Sequence, residues 1–145
     1  MHAKTEEFER QSLQSRTAMI HVTRLDHLVL TVSDVTITCD YYQRVLGMKS
    51  IVFGEERRAL TFGNQKINLH HEGHELNPCA DRPTPGSADL CFLVDGPMEK
   101  VLGHLQSCGI EPVEGPVLRT GALGPMQSIY LRDPDLNLIE LSIYP

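Results

Sequence analysis

The sequence predicts an α+β fold built from one β-α-β-β-β unit used twice. Three observations carry this. Short β-branched runs alternate apolar and polar residues, the period of a half-buried strand. Two stretches with apolar residues at helical spacing each close on a glycine, Gly47 and Gly109. The halves also match in register: His27 and Asp89 differ by 89 − 27 = 62, and Gly47 and Gly109 by 109 − 47 = 62. In the last strand of each half the offset between His70 and Glu140 is 140 − 70 = 70, and a long loop around Gly115 to Pro125 takes up the extra 70 − 62 = 8 residues. A unit too small to bury its own sheet is expected to be duplicated, with pseudo-twofold symmetry.

The elements follow in order. Residues 1–22 are polar and mixed in charge and form an N-terminal extension, a short amphipathic helix or a loose segment. The folded domain spans 23–145, with module one over about 24–75 and module two over about 87–144. Leu25 to Val32 reads as a strand. Ser33 and Asp34 supply a helix cap, and Ile37, Tyr41, Val45 and Leu46 follow at helical spacing. Met48 to Phe53, Arg58 to Phe62 and Lys66 to His71 read as strands, with a Gly63-Asn64 turn between the last two. Residues 73–87 hold three prolines and two glycines and form a linker. Ala88 to Val94 is a strand. Pro97 opens a helix whose apolar face is Val101, Leu102 and Leu105. Ile110 to Val113 reads as a short strand, Glu114 to Pro125 as a loop, and Gln127 to Leu131 with Leu136 to Ile143 as a closing hairpin.

Composition excludes several classes. The net charge is −6 and no dense Lys/Arg cluster is present, which argues against nucleic acid and anionic membrane surfaces as partners. No apolar run approaches the roughly 18 residues of a membrane span. Cys39, Cys79, Cys91 and Cys108 show no C-x-x-C spacing and read as free thiols, with a cytoplasmic location expected by default.

Side chains alternate across a strand, so parity assigns faces. Leu28, Leu30 and Val32, then Ile67 and Leu69, then Leu90, Phe92 and Val94, then Ile139, Leu141 and Ile143 should pack on helices. The opposite face then carries His27, His70, Asp89 and Glu140. A carboxylate mid-strand costs several kcal/mol if buried unpaired. Two imidazoles and two carboxylates form a ligand set for a divalent cation. The bland alternatives are a structural hydrogen-bond network, a strand cap at Asp89, and a Glu140 ion pair with Arg132 or Lys66.

The segments "LDHLVLTVSD", "YYQRVLGM", "LTFGNQKINLHHEG" and "SIYLRDPDLNLIELSIY" resemble the vicinal oxygen chelate superfamily, nearest its glyoxalase I (lactoylglutathione lyase)-like branch. The resemblance covers about residues 24–144, and the last segment is the most specific. It implies paired βαβββ modules forming a curved mixed-sheet cup, and a homodimer in many members. It implies metal ligation by His27 and Glu140, with His70 or Asp89, and a divalent ion (Zn, Ni, Co, Mn or Fe). It implies a lyase or isomerase acting on a small carbonyl or thiol adduct, including glutathione adducts, with Glu140 moving the proton. The chain departs from the pattern at Asp89, where relatives often carry His. Lys66 and Arg119 are the candidates, by position alone, for holding glutathione carboxylates. Other readings are a fosfomycin-resistance-type thiol transferase, an Fe(II) dioxygenase, and a non-catalytic small-ligand binder.

Overall fold

The computed structural model describes residues 4–10 and 19–145. Of the expected N-terminal extension, 4–10 is helical with every side chain exposed, and 1–3 and 11–18 lie outside the described residues. The elements are β1 (His27–Val32), α1 (Val35–Arg44), β2 (Lys49–Phe53), β3 (Arg57–Phe62), β4 (Gln65–His71), β5 (Asp89–Leu93), α2 (Met98–Ser107), β6 (Glu114–Gly121), β7 (Gly124–Arg132) and β8 (Leu138–Ile143). They form two four-stranded sheets, ordered β1-β4-β3-β2 and β5-β8-β7-β6. In each, the first and last strands of the module pair parallel and the rest antiparallel. The α+β class and the doubled unit are as expected.

Local chemistry explains the helices. Asp34 stays extended and its Oδ1 accepts the Ile37 N–H at 2.9 Å, capping α1. Thr38, Cys39, Tyr41 and Tyr42 fall on one face at i, i+3, i+4 spacing and are buried. Gly47, at φ +66, ends the turn without a Cβ penalty. Pro97 immediately precedes α2, whose Met98 and Leu105 are buried.

One expectation is corrected. Ile110 to Val113 is not a strand, and the glycine- and proline-rich segment after it is not a loop. Instead β6 runs over Glu114–Gly121 along β7. Gly115 and Pro116 lie where the register shifts between Glu114 and Val117, a bulge on an edge strand that has room for both. Gly115 has φ +100, and a Cβ there would come within 2.5 Å of the Ser128 carbonyl oxygen. Turn-forming residues therefore mark a bulge here.

A single core joins the two modules. Leu30, Val32, Leu60, Ile67 and Leu69 of one sheet and Ile129, Leu131, Ile139 and Leu141 of the other share one buried cluster with α1 and α2 residues. Each fully buried aliphatic side chain contributes roughly 1.5–3 kcal/mol. Phe62 meets Phe92 edge-on at 5.4 Å between ring centroids. Hydrogen bonds cross the same seam. Tyr41 Oη donates to the Arg132 carbonyl at 2.9 Å, and Tyr42 Oη donates to Asp133 Oδ2 at 2.7 Å. His104 Nε2 donates to the Val45 carbonyl at 2.8 Å.

The "DPDLN" turn is organised by Asp133. Its carboxylate accepts the Asp135 and Asn137 N–H groups, both at 2.9 Å, and Asn137 Nδ2 at 2.8 Å, besides Tyr42. Burial, with the Asp133 charge behind it, pushes Tyr42 far above the usual phenol range and Tyr41 up to about 12.

Candidate functional site

Since both sheets turn their helix-side residues into one core, each leaves its other face outside it. Ladder partners share a face, so the rungs of these cups can be read from the register. In module one, His27 lies beside Lys66, Asn68 between Val29 and Ala59, and Thr31 beside His70. In module two, Asp89 lies beside Leu138, Cys91 and Tyr130 beside Glu140, and Ser128 beside Ser142. Parity therefore placed His27, His70, Asp89 and Glu140 on cup faces, as expected.

The symmetry is different from the expected one. His27 pairs with Lys66 and Asp89 with Leu138, so the last strands are offset by 138 − 66 = 72, not 70. The counterpart of Glu140 is then residue 140 − 72 = 68, which is Asn68. His70 corresponds to Ser142 and sits about 13 Å along the strand from the His27 rung, four residues at ~3.3 Å each. Asn68 carries no signal in the sequence, because an amide is not an obvious metal donor. Its parity was already that of His70.

Each cup has its own polar arrangement. His27 Nδ1 lies 2.8 Å from Asp26 Oδ2. That hydrogen bond holds the Asp26 carboxyl below its usual range. It places the imidazole hydrogen on Nδ1 and leaves Nε2 as a bare lone pair. Asn68 is 5% exposed, and its Oδ1 is buried with no hydrogen-bond partner. His70 is 7% exposed, and its Nδ1 is likewise enclosed without a partner. Lys66 Nζ stands 3.9 Å, and Arg57 Cζ 4.6 Å, from the centroid of the Phe53 ring.

In module two, Ser142 Oγ donates to Glu140 Oε2 at 3.2 Å. Ser142 is in turn bonded to Ser128 Oγ at 2.7 Å and Cys91 Sγ at 3.2 Å. Glu140 Oε1 has no protein donor among the described residues and the side chain is half-buried. Glu140 thus makes neither of the ion pairs weighed from sequence. Burial pushes the Cys91 thiol up, and the nearby Glu140 and Asp89 carboxylates push the same way, so it is a poor nucleophile. Arg119 is engaged at home: Nε donates to Tyr130 Oη and Nη2 to Glu114 Oε1, both at 3.0 Å.

The expected convergence of four ligands does not occur within one chain. Among the described residues no three His, Cys, Asp or Glu side chains come together to hold a metal ion. The cause is the shared core, which sets His27 and Asn68 on one sheet and Asp89 and Glu140 on the other. The strands that begin the two modules, β1 and β5, are sheet edges, and Leu25, Val29 and Leu93 on or before them are 59%, 45% and 61% exposed. Among the described residues no helix is long and apolar enough to cross a membrane.

Comparison with known proteins fits this architecture. The sequence profile of the Glyoxalase/Bleomycin resistance protein/Dioxygenase superfamily matches residues 24–141. The chain is 55% identical over 123 residues to the virulence protein STM3117 of Salmonella typhimurium, covering 85% of each chain. It is 54% identical over 131 residues to the glyoxalase domain-containing protein RDO1 of Mycosarcoma maydis, covering 90% of this chain and 74% of that one. The crystal structure of STM3117 superposes with a TM-score of 0.85, covering 87% of this chain and all of that one. A lactoylglutathione lyase from Agrobacterium tumefaciens shares the fold at a TM-score of 0.65 with 17% identity, covering 86% of this chain and 96% of that one.

Proposed function

The chain belongs to the glyoxalase/bleomycin resistance protein/dioxygenase superfamily, and from that premise we propose that it is a metal-dependent lyase or isomerase acting on a small carbonyl or thiol-adduct substrate. Glutathione adducts are the first class to test. The observation that carries this reading is a pair of bare donors one rung apart in module one. His27 Nε2 is freed by the Asp26 hydrogen bond, and Asn68 Oδ1 is buried without a partner. A buried acceptor left unpaired costs about 1–3 kcal/mol. A cation that it meets would offset that cost.

The donor set fits a divalent metal. Imidazole, amide oxygen and carboxylate are ligands for Zn, Ni, Co, Mn or Fe. His27 and Asn68 of one copy would hold the ion together with Glu140, and with Asp89, of a second copy. The apolar, exposed edges at β1 and β5 support such a homodimer. The bound ion would supply Lewis acidity toward neighbouring substrate oxygens. With its carboxylate loosened from the ion for this step, Glu140 would take the proton from the hydroxyl-bearing carbon and return it to the former carbonyl carbon, while the hydroxyl hydrogen passes to the carbonyl oxygen. The Ser142 hydrogen bond fixes one carboxylate oxygen and leaves Oε1 for this work. His70 lies two rungs beyond His27 and stands outside this ligand set.

The test is metal content by mass spectrometry after reconstitution with each ion. Wild type is expected to bind near one ion per site, and the His27→Ala/Glu140→Ala double mutant none. Asp26→Ala should weaken metal binding by about 10–100-fold, because it releases the His27 ring. With methylglyoxal and glutathione, Glu140→Gln should lower kcat by about 10²–10⁴. Wild-type protein that retains no ion under any reconstitution would sink this reading in favour of a non-catalytic binder.

A further inference from the structure

A cavity of about 390 Å³ lies at the far end of the module-one cup. Its floor is the end of β1 and β4, with Val29, Thr31 and His70, and the proline-rich linker arches over it with Pro78, Ala80 and Pro83. Ligand cavities run from roughly 300 to 1,000 Å³, so this one suits a compact molecule.

The side chain that gives the cavity its chemistry is His70. It is 7% exposed and has no hydrogen-bond partner on either ring nitrogen among the described residues. Nδ1 is sealed, whereas Nε2 is not among the enclosed atoms of this cavity-lining side chain. Sealed N–H groups are rarer in proteins than sealed lone pairs. The favoured tautomer therefore keeps the bare lone pair on Nδ1 and carries the hydrogen on Nε2, as a donor open to a ligand. The Thr31 hydroxyl adds a further donor at the wall, whereas Thr84 Oγ1 and Ser87 Oγ donate to the Arg82 and Thr84 carbonyls and brace the linker.

Charge selects the ligand class. The chain carries a net charge of −6, yet no Asp or Glu lines this cavity. Its only charge-bearing or titratable side chains are His70, Cys79 and Arg82. Arg82 stands at the mouth, loosely held by Asp81 at 3.8 Å with both side chains almost fully exposed, free to swing over a bound anion. Apolar wall, neutral-to-cationic lining and a buried N–H donor belong together for one kind of molecule.

We propose that the cavity under the linker is a binding site for a small monocarboxylate with an apolar body. The carboxylate accepts from His70 Nε2–H and meets Arg82, and the body lies against Val29, Pro78 and Pro83. The site needs no metal, and of the exposed edge residues given above to the homodimer only Val29 lines it. It therefore stands or falls separately from the metal reading.

The experiment uses the full chain dialysed against EDTA, with benzoate as probe and benzylamine as its counterpart of the same shape and opposite charge. Titrations are followed by saturation-transfer NMR and by the histidine imidazole resonances. Benzoate is expected to bind and to move the His70 resonances, and benzylamine to do neither. His70→Leu should weaken benzoate by at least about tenfold. Ala80→Phe changes an exposed linker position, leaves the sheet intact and should fill the cavity, abolishing binding. The proposal is overturned if benzoate does not bind at millimolar concentration. It is also overturned if benzylamine binds as well, or if benzoate is insensitive to both substitutions.

Discussion

The seam between the modules and the module-one cup both bury polar side chains and treat them in opposite ways. At the seam, the polar side chains that reach across between the modules find partners, while Thr38 Oγ1 on the same buried face of α1 does not. Tyr41, Tyr42, Asp133, Asn137 and His104 all hydrogen-bond, and Asp133 alone accepts from Tyr42, from two backbone N–H groups and from the Asn137 amide. In the module-one cup, Asn68 and His70 are as deeply buried and keep unpartnered atoms. A domain whose net stability is about 5–15 kcal/mol carries such losses only at a few positions. The seam is organised for stability, and the module-one cup holds Asn68 and His70 ready for something outside the chain.

That contrast can be broken at the seam first. Asp133→Ala would strand four side-chain and backbone donors, three of them fully buried, and should destabilise by about 3 kcal/mol. For a chain of this size the thermal midpoint would fall on the order of 10 °C. A drop of only a degree or two in calorimetry would mean that water replaces Asp133 and that the seam is not what holds the modules together.

Alkaline pH probes the same region with a smaller effect. Tyr41 is pushed up to about 12, mainly by burial. Its folded pKa therefore lies above the unfolded value near 10. The corresponding stability is fully present below about pH 10 and is lost as pH rises toward 12, at up to ~1.4 kcal/mol per pH unit for each such group. Denaturant midpoints measured across this window should fall less steeply in Tyr41→Phe than in wild type. Parallel curves would show that Tyr41 is not confined as described.

The smallest change is expected in the cup. Asn68→Leu removes an unpaired buried amide at similar volume, so metal-free protein should shift by less than about 1 kcal/mol, in the stabilising direction. Urea denaturation of the metal-free variant measures it. A loss of 2 kcal/mol or more would assign Asn68 to the structural network and would remove the contrast between cup and seam.

Much of the fold was legible because local patterns produced it. Asp34 and Gly47 bracket α1, and the apolar parity of Leu28 to Val32 and of Ile139 to Ile143 predicted which faces enter the core. The duplication was visible at His27 and Asp89. β6 was not legible, because Gly115 and Pro116 carry the same turn signal whether they sit in a loop or in an edge bulge. The site was half legible. Parity put His27, Asp89 and Glu140 on cup faces, but residue type drew attention to His70 over Asn68, two positions apart on one face.

By itself the sequence determined the two helices, the strands other than β6, their faces and the repeated unit, since caps, glycines and side-chain period act between residues a few positions apart. Only the tertiary structure decided the register that makes Asn68 the partner of Glu140 in symmetry. It also decided that the helix faces of both modules share one core, which sets the two cups apart and seats the linker over His70. Those outcomes rest on ladders and burial between residues far apart in the chain, where the most complete removal of apolar surface from water selects one arrangement that local spacing leaves open.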